Sequence, residues 1–212
     1  MRTVVFSDRD GTINEDKNYY LGSNPNWKKQ VQFLDGVVEG IALINSIPDS
    51  HFFIITNQAG VALKGGDFDN LTEQRMHEVN EYIVKELAKK GCRIDGCHAC
   101  PYVDGAYLEK YKERKINPRY VRDNHPDLKP NTGMITKALK SLGITDDYRL
   151  FMIGDRASDV EMGLRAGGTG ILIEGPKTGE LGDMAKVLGL SQKGSVYIAK
   201  NFLEAAKHIS SK

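Results

Sequence analysis

Two carboxylates stand two residues apart at the end of a short apolar run, Val4-Val5-Phe6-Ser7-Asp8-Arg9-Asp10-Gly11-Thr12. Alone, Asp8 and Asp10 could simply cap a turn. The chain repeats the arrangement, however. Thr56-Asn57 follow the run Phe52-Phe53-Ile54-Ile55, and Asp155-Arg156, with Asp159 close behind, follow Leu150-Phe151-Met152-Ile153-Gly154. Between them Lys129-Pro130 stands before a helical pattern. Carboxylates gathered in one place repel unless a cation lies among them, and hard oxygen donors with room for water suit Mg²⁺. Such an ion and a lysine offset the charge of a phosphoryl group, so that an anionic nucleophile can approach it. A carboxylate attacking phosphorus forms an aspartyl-phosphate. A second carboxylate can protonate the leaving oxygen and later deprotonate the hydrolytic water.

The elements that position these groups follow from the pattern. Apolar, β-branched runs at Val4–Phe6, Phe52–Ile55, Arg149–Ile153, Thr169–Ile173 and Val196–Ile198 read as buried strands, with a short one within Ile94–Pro101. Helices are expected at Gly36–Asn45, Leu71–Lys90, Thr132–Leu142, Ala157–Ala166, Leu181–Leu188 and Phe202–Ile209. This alternation predicts an α/β fold, a Rossmann-like doubly wound parallel sheet. Ligands of such sheets bind outside the carboxyl ends of the strands, where every acid above would lie. Asn14–Gln32 reads as a loop or hairpin over the first strand, with Tyr19, Tyr20 and Trp27 either lining an entrance or covering an apolar edge.

The chain has 212 residues, with 29 Lys plus Arg against 28 Asp plus Glu. The balance gives no reason to expect nucleic acid or an anionic membrane as partner. No apolar run is long enough to span a bilayer, and the start resembles no signal peptide, so a cytoplasmic monomer is expected. The three cysteines, Cys92, Cys97 and Cys100, argue against a disulfide framework.

In this order, Asp8-x-Asp10-Gly11-Thr12, Thr56-Asn57, Lys129-Pro130 and Gly154-Asp155 with Asp159 resemble the four motifs of the haloacid dehalogenase-like phosphatases. The stretches Asp-Arg-Asp-Gly-Thr-Ile-Asn, Thr-Asn-Gln-Ala-Gly and Lys-Pro-Asn-Thr-Gly-Met are similar to its histidinol-phosphatase-like branch. The resemblance implies one haloacid dehalogenase-like domain over residues 1–212 without a large cap, carrying a long loop insertion at residues 101–128. It implies Asp8 as nucleophile and Asp10 as general acid/base. Thr56, Asn57 and Lys129 would bind the phosphate. Mg²⁺ would be held by the Asp8 carboxylate, the Asp10 carbonyl and Asp155, with Asp159 and Arg156 supporting. The implied substrate is a small phosphorylated metabolite, first a sugar bisphosphate such as D-glycero-D-manno-heptose 1,7-bisphosphate, with histidinol phosphate as the alternative.

The chain departs from the branch in two places. The branch carries a Zn²⁺ loop of two cysteine–histidine or cysteine–cysteine pairs. Here Cys100 matches one ligand, Tyr102 stands for a histidine, and His125 and Asp127 stand for cysteines. A zinc set of Cys97, Cys100 and His125 is weighed against packed thiols. The residue before the motif lysine, an arginine in the heptose enzymes, is Leu128. The 101–128 segment holds Lys110, Lys112, Arg114, Lys115, Arg119 and Arg122, diluted by Glu109, Glu113 and Asp123. It either closes over an anionic substrate or is a solvated loop. Two rivals use similar acids: a phospho-accepting signalling module, whose aspartate lies on a middle strand, and a nucleic-acid end phosphatase, which would want a basic surface.

Overall fold

The structure is a computed structural model and describes residues 1–16, 20–175, 178 and 183–212. The Tyr19 expectation and the start of the expected Leu181 helix lie outside the described residues. Six strands form one parallel sheet: β1 (Arg2–Ser7), β2 (Ser50–Asn57), β3 (Gly96–Cys100), β4 (Tyr148–Gly154), β5 (Thr169–Ile173) and β6 (Val196–Ala199). Their order is β3-β2-β1-β4-β5-β6. Both faces are covered, which is why the strands read as continuous apolar runs rather than as alternation.

Alternate residues feed two cores. Val5, Phe52, Ile54, Ile153 and Ile171 pack against α1 (Val37–Ser46), α2 (Glu73–Lys89) and α7 (Phe202–Ser210). Val4, Phe6, Phe53, Ile55 and Met152 pack on the other face against α4 (Gly133–Ser141). On that same side, α5 (Ala157–Arg165) and α6 (Asp183–Leu190) cover Leu172. The chain leaves β1 toward β2 on one side and returns to β4 on the other. The switch point thus falls between β1 and β4, where a doubly wound sheet opens a crevice. The Asp8 amide donates to the Ile153 carbonyl at 2.8 Å, fixing the ends of these two strands together.

The 101–128 segment is not the irregular loop the sequence pattern implies. Asp104 caps a short helix, α3 (Gly105–Lys110), by accepting from the Tyr107 amide at 2.9 Å. Val103 bridges to Val121, and Val103 and Tyr120 are buried with Val61, Ala62 and Met76. Leu63 bridges to Ile116. These pairings link distant stretches, so no local periodicity announces them. Trp27 is buried edge-on against Tyr82 at 5.3 Å, and so covers an apolar edge. No helix among the described residues is long and apolar enough to cross a membrane.

Candidate active site

The carboxyl ends of β1 and β4 bring Asp8, Asp155 and Asp159 together, with one carboxylate oxygen of each within 4.8 Å of the others. Lys129 enters from the turn before α4, only 3% exposed at its side chain. Its Nζ donates to Asp8 Oδ1 at 2.6 Å and to Asp159 Oδ1 at 2.8 Å. Asp159 Oδ2 accepts from the Arg156 amide at 3.2 Å, closing the first turn of α5. The sheet and the helix therefore hold the lysine between two acids, and both Asp159 oxygens are in use.

Asp155 is different. It is 5% exposed, and its Oδ1 is buried with no hydrogen-bond partner. A methyl group on Gly11, whose φ is +82°, would come within 2.5 Å of Asp155 Oδ2. Glycine is thus required both for the turn and for the room beside the acid. Burial pushes the Asp155 carboxyl up to about 8, with the Asp8 and Asp159 charges adding to it. Burial likewise raises Asp8 to about 6, although Lys129 pulls it down. Three buried acids with one lysine leave a deficit of positive charge. The bare Asp155 oxygen beside Asp8 fits a small, hard cation such as Mg²⁺.

Asp10 lies in a contrasting setting. Arg9, 1% exposed, donates from Nε to Asp10 Oδ1 at 3.0 Å and from Nη2 to Oδ2 at 2.6 Å. Asn14 donates to Oδ1 at 3.0 Å and Gln58 to Oδ2 at 2.8 Å. Burial would raise this carboxyl, but the Arg9 charge and these donors outweigh it and hold Asp10 below its ordinary value. Arg9 is itself fixed by Asn80 of α2, through Nη1 to Oδ1 at 2.6 Å.

Thr56 is 1% exposed, and its Oγ1 accepts from Gln58 Nε2 at 2.9 Å. Asn57 Oδ1 accepts from the Lys129 amide at 3.3 Å, so its side chain pins the lysine turn. Arg156 pairs with Asp183 of α6 at 2.5 Å, and its charge still pulls the Asp155 carboxyl down. Sequence reasoning gave no role to Arg9, Asn14, Gln58 or Asn80. The signal for Arg9 was its place between the two acids.

The zinc set weighed against packed thiols does not come together. Cys97 and Cys100 are three positions apart in one strand, so their side chains leave opposite faces of the sheet. Cys97 packs in the core on the α2 side, and Cys100 in the core on the α4 side. Burial raises both thiols to about 11, against the thiolate a metal requires. His125 is instead stacked on Tyr102, with ring centroids 4.1 Å apart, and Asp127 is ion-paired with Lys137. Among the described residues, the three site aspartates are the one cluster of three or more metal-ligating side chains. The residues present do not fit zinc.

Residues 126–205 match the HAD-hydrolase-like family model. D-glycero-beta-D-manno-heptose-1,7-bisphosphate 7-phosphatase of Rhodopseudomonas palustris is 34% identical over 174 residues, covering 82% of this chain and 84% of that protein. The chain belongs to the haloacid dehalogenase-like phosphatases. The D-glycero-alpha-D-manno-heptose-1,7-bisphosphate 7-phosphatase of Campylobacter jejuni is 31% identical, covering 82% of this chain and 84% of that protein. The fold is shared with the D,D-heptose 1,7-bisphosphate phosphatase of B. bronchiseptica, whose crystal structure holds magnesium and phosphate. That structure superposes with a TM-score of 0.70 at 18% identity, over 100% of this chain and 99% of that one. The Rossmann-like fold expected from the sequence is therefore borne out, as is the phosphatase family.

Proposed function

We propose that this phosphatase hydrolyses the 7-phosphate of a D-glycero-D-manno-heptose 1,7-bisphosphate through an aspartyl-phosphate on Asp8, with Mg²⁺ held by Asp8, Asp155 and the Asp10 carbonyl. The observation that carries the mechanism is the lysine shared between Asp8 and Asp159 beside the uncompensated Asp155. The names of its relatives support the heptose substrate.

Bound Mg²⁺ supplies positive charge that lets the phosphoryl group lie against Asp8 and stabilises charge developing on it. Lys129 holds Asp8 in line and offers its ammonium to a phosphoryl oxygen, with Thr56 at the same strand-end level and Asn57 fixing the lysine turn. Asp8 attacks phosphorus, the ester oxygen leaves, and Asp10 gives it a proton. Asp10 is held ionised by Arg9, so it must first take up that proton. The approach of a phosphate dianion favours this, because a nearby negative charge raises a carboxyl pKa. Once it has given the proton up, Asp10 is the anion needed to deprotonate water. Water then attacks phosphorus, and inorganic phosphate leaves Asp8.

The test is phosphate release with Mg²⁺ over both heptose 1,7-bisphosphate anomers, histidinol phosphate, other sugar phosphates and a 3′-phosphorylated oligonucleotide, with Asp8→Asn in parallel. Preference for a heptose anomer, lost in Asp8→Asn, is expected. Preference for histidinol phosphate or the oligonucleotide would overturn the substrate and leave the mechanism. Full activity in Asp8→Asn would overturn the mechanism.

A further inference from the structure

The heptose reading requires the site to receive a second phosphate, one that is not cleaved. The residue before the motif lysine cannot serve, since Leu128 is uncharged and packs against the α4-side core. A cation must come from elsewhere, and the folded 101–128 segment carries six. Most are engaged or on the outside. Lys112 pairs with Glu109 at 2.5 Å, Arg119 reaches Glu73 at 3.5 Å, and Arg122 donates to the Val121 carbonyl at 2.7 Å.

Arg114 stands apart. Its guanidinium lies 4.4 Å from the ring centre of Tyr111 and 5.6 Å from that of Tyr20, and it donates to the Tyr20 hydroxyl. The Tyr107 ring stacks at a tilt on Tyr111, with centroids 4.6 Å apart. Arg114 as a whole is half-buried, and it pairs with no carboxylate among the described residues. A cation partly withdrawn from water, oriented by rings and hydroxyls but without a counter-ion, is preorganised for an anion.

A chain of contacts links it to the site. Gln58 touches Asp10, and two residues on, a Cβ at Gly60 would meet the Tyr20 ring at 2.9 Å. The Tyr20 hydroxyl reaches Arg114 directly. Behind it, Leu63 bridges to Ile116, and the Lys64 amide donates to the Lys115 carbonyl at 2.9 Å. The Arg114 turn is thus tied to the chain that leaves β2 just past Thr56 and Asn57.

We infer that Arg114, caged by Tyr20, Tyr107 and Tyr111, receives the non-scissile phosphate of a bisphosphorylated substrate and so sets the preference for bisphosphates over monoesters. This rests on the heptose reading. It is tested by comparing kcat/KM for heptose 1,7-bisphosphate and for p-nitrophenyl phosphate in wild type, Arg114→Met and Arg114→Lys, with melting curves alongside. A charge-assisted phosphate contact predicts that the ratio of the two falls about thirtyfold in Arg114→Met, mostly through KM. Arg114→Lys should restore part of it. Tyr20→Phe, which removes only the hydroxyl, should lower the ratio about threefold and serves if Arg114→Met does not fold. An unchanged ratio, or an equal fall on both substrates, would overturn the inference while leaving the heptose reading intact. A wild type without preference for the bisphosphate would instead remove that reading, and the inference with it.

Discussion

Asp155→Asn should make the metal-free protein more stable, and increasingly so as pH rises. The Asp155 carboxyl ionises near 8 in the folded chain against 3.8 ordinarily. A raised acid keeps its proton longer when folded than when unfolded, so its penalty is absent below about 3.8, grows through the interval and is complete above about 8. At 1.36 kcal/mol per pH unit, burying Asp155 costs about 2 kcal/mol at pH 5 and about 6 at pH 8.5. Asp155 titrates together with Asp8, so its own share of that ~4 kcal/mol is smaller, on the order of 2 kcal/mol. For a chain of this length, ~2 kcal/mol is about 4–8 °C in Tm. Asparagine has no charge to bury and no titration of its own here. The assay is thermal melting of both proteins in chelator at pH 5 and pH 8.5. The advantage of Asp155→Asn over wild type should widen by about 4–8 °C between the two. Added Mg²⁺ should then raise the wild-type Tm at pH 8.5 and leave the variant where it was. An advantage that is flat or shrinking with pH would refute the claim that this carboxylate is strained by like charge and burial.

Three further outcomes follow from the same geometry. Lys129→Met removes the shared cation, so kcat should fall by ~10³ or more, with ~3–5 kcal/mol lost in urea unfolding at neutral pH; a variant as stable as wild type would contradict the buried triad. Gly11→Ala places a methyl against Asp155 at a positive φ, and should weaken Mg²⁺ activation at least tenfold in a metal titration while also lowering Tm; an unaltered Mg²⁺ response would contradict the crowding. Protein purified without chelator should carry no stoichiometric zinc by elemental analysis, and Cys97→Ser should leave kcat unchanged, whereas one tightly held zinc per chain would overturn the split of Cys97 and Cys100 across the sheet.

The fold was legible because each strand that matters is a short apolar run with polar punctuation. In a sheet covered on both faces such runs cannot belong to anything else, and Thr169–Ile173 coincides with β5 end to end. The convergence of Asp8, Lys129, Asp155 and Asp159 was legible for the same reason, since each follows a strand or opens a helix at one edge of the sheet. Other features depended on pairings that no window of sequence contains. The 101–128 segment folds through Val103 on Val121 and Leu63 on Ile116, each too isolated to show a period. The choice between zinc and packed thiols was legible by contrast, because the parity of positions 97 and 100 in a strand already separated the two thiols.

The contrast in setting between Asp8 and Asp10 was the least visible feature. Two aspartates two residues apart, on the same short turn, are equivalent by type and spacing. The structure makes them unequal by giving each a different cation. Lys129 arrives from a distant turn and is shared with Asp159, so it only partly offsets the burial of Asp8, which ends near 6. Arg9 is a sequence neighbour, buried and braced by one bond to Asn80, and gives two bonds to Asp10, which ends below its ordinary value. Paired carboxyls driven apart in this way are the arrangement that lets one enzyme run two kinds of carboxylate chemistry. A cation seated at Asp155 would lower Asp8 again and would act on Asp10 in the same direction. On the proposed mechanism Asp8 would couple metal binding to nucleophile activation, while Arg9 sets Asp10 apart for proton transfer.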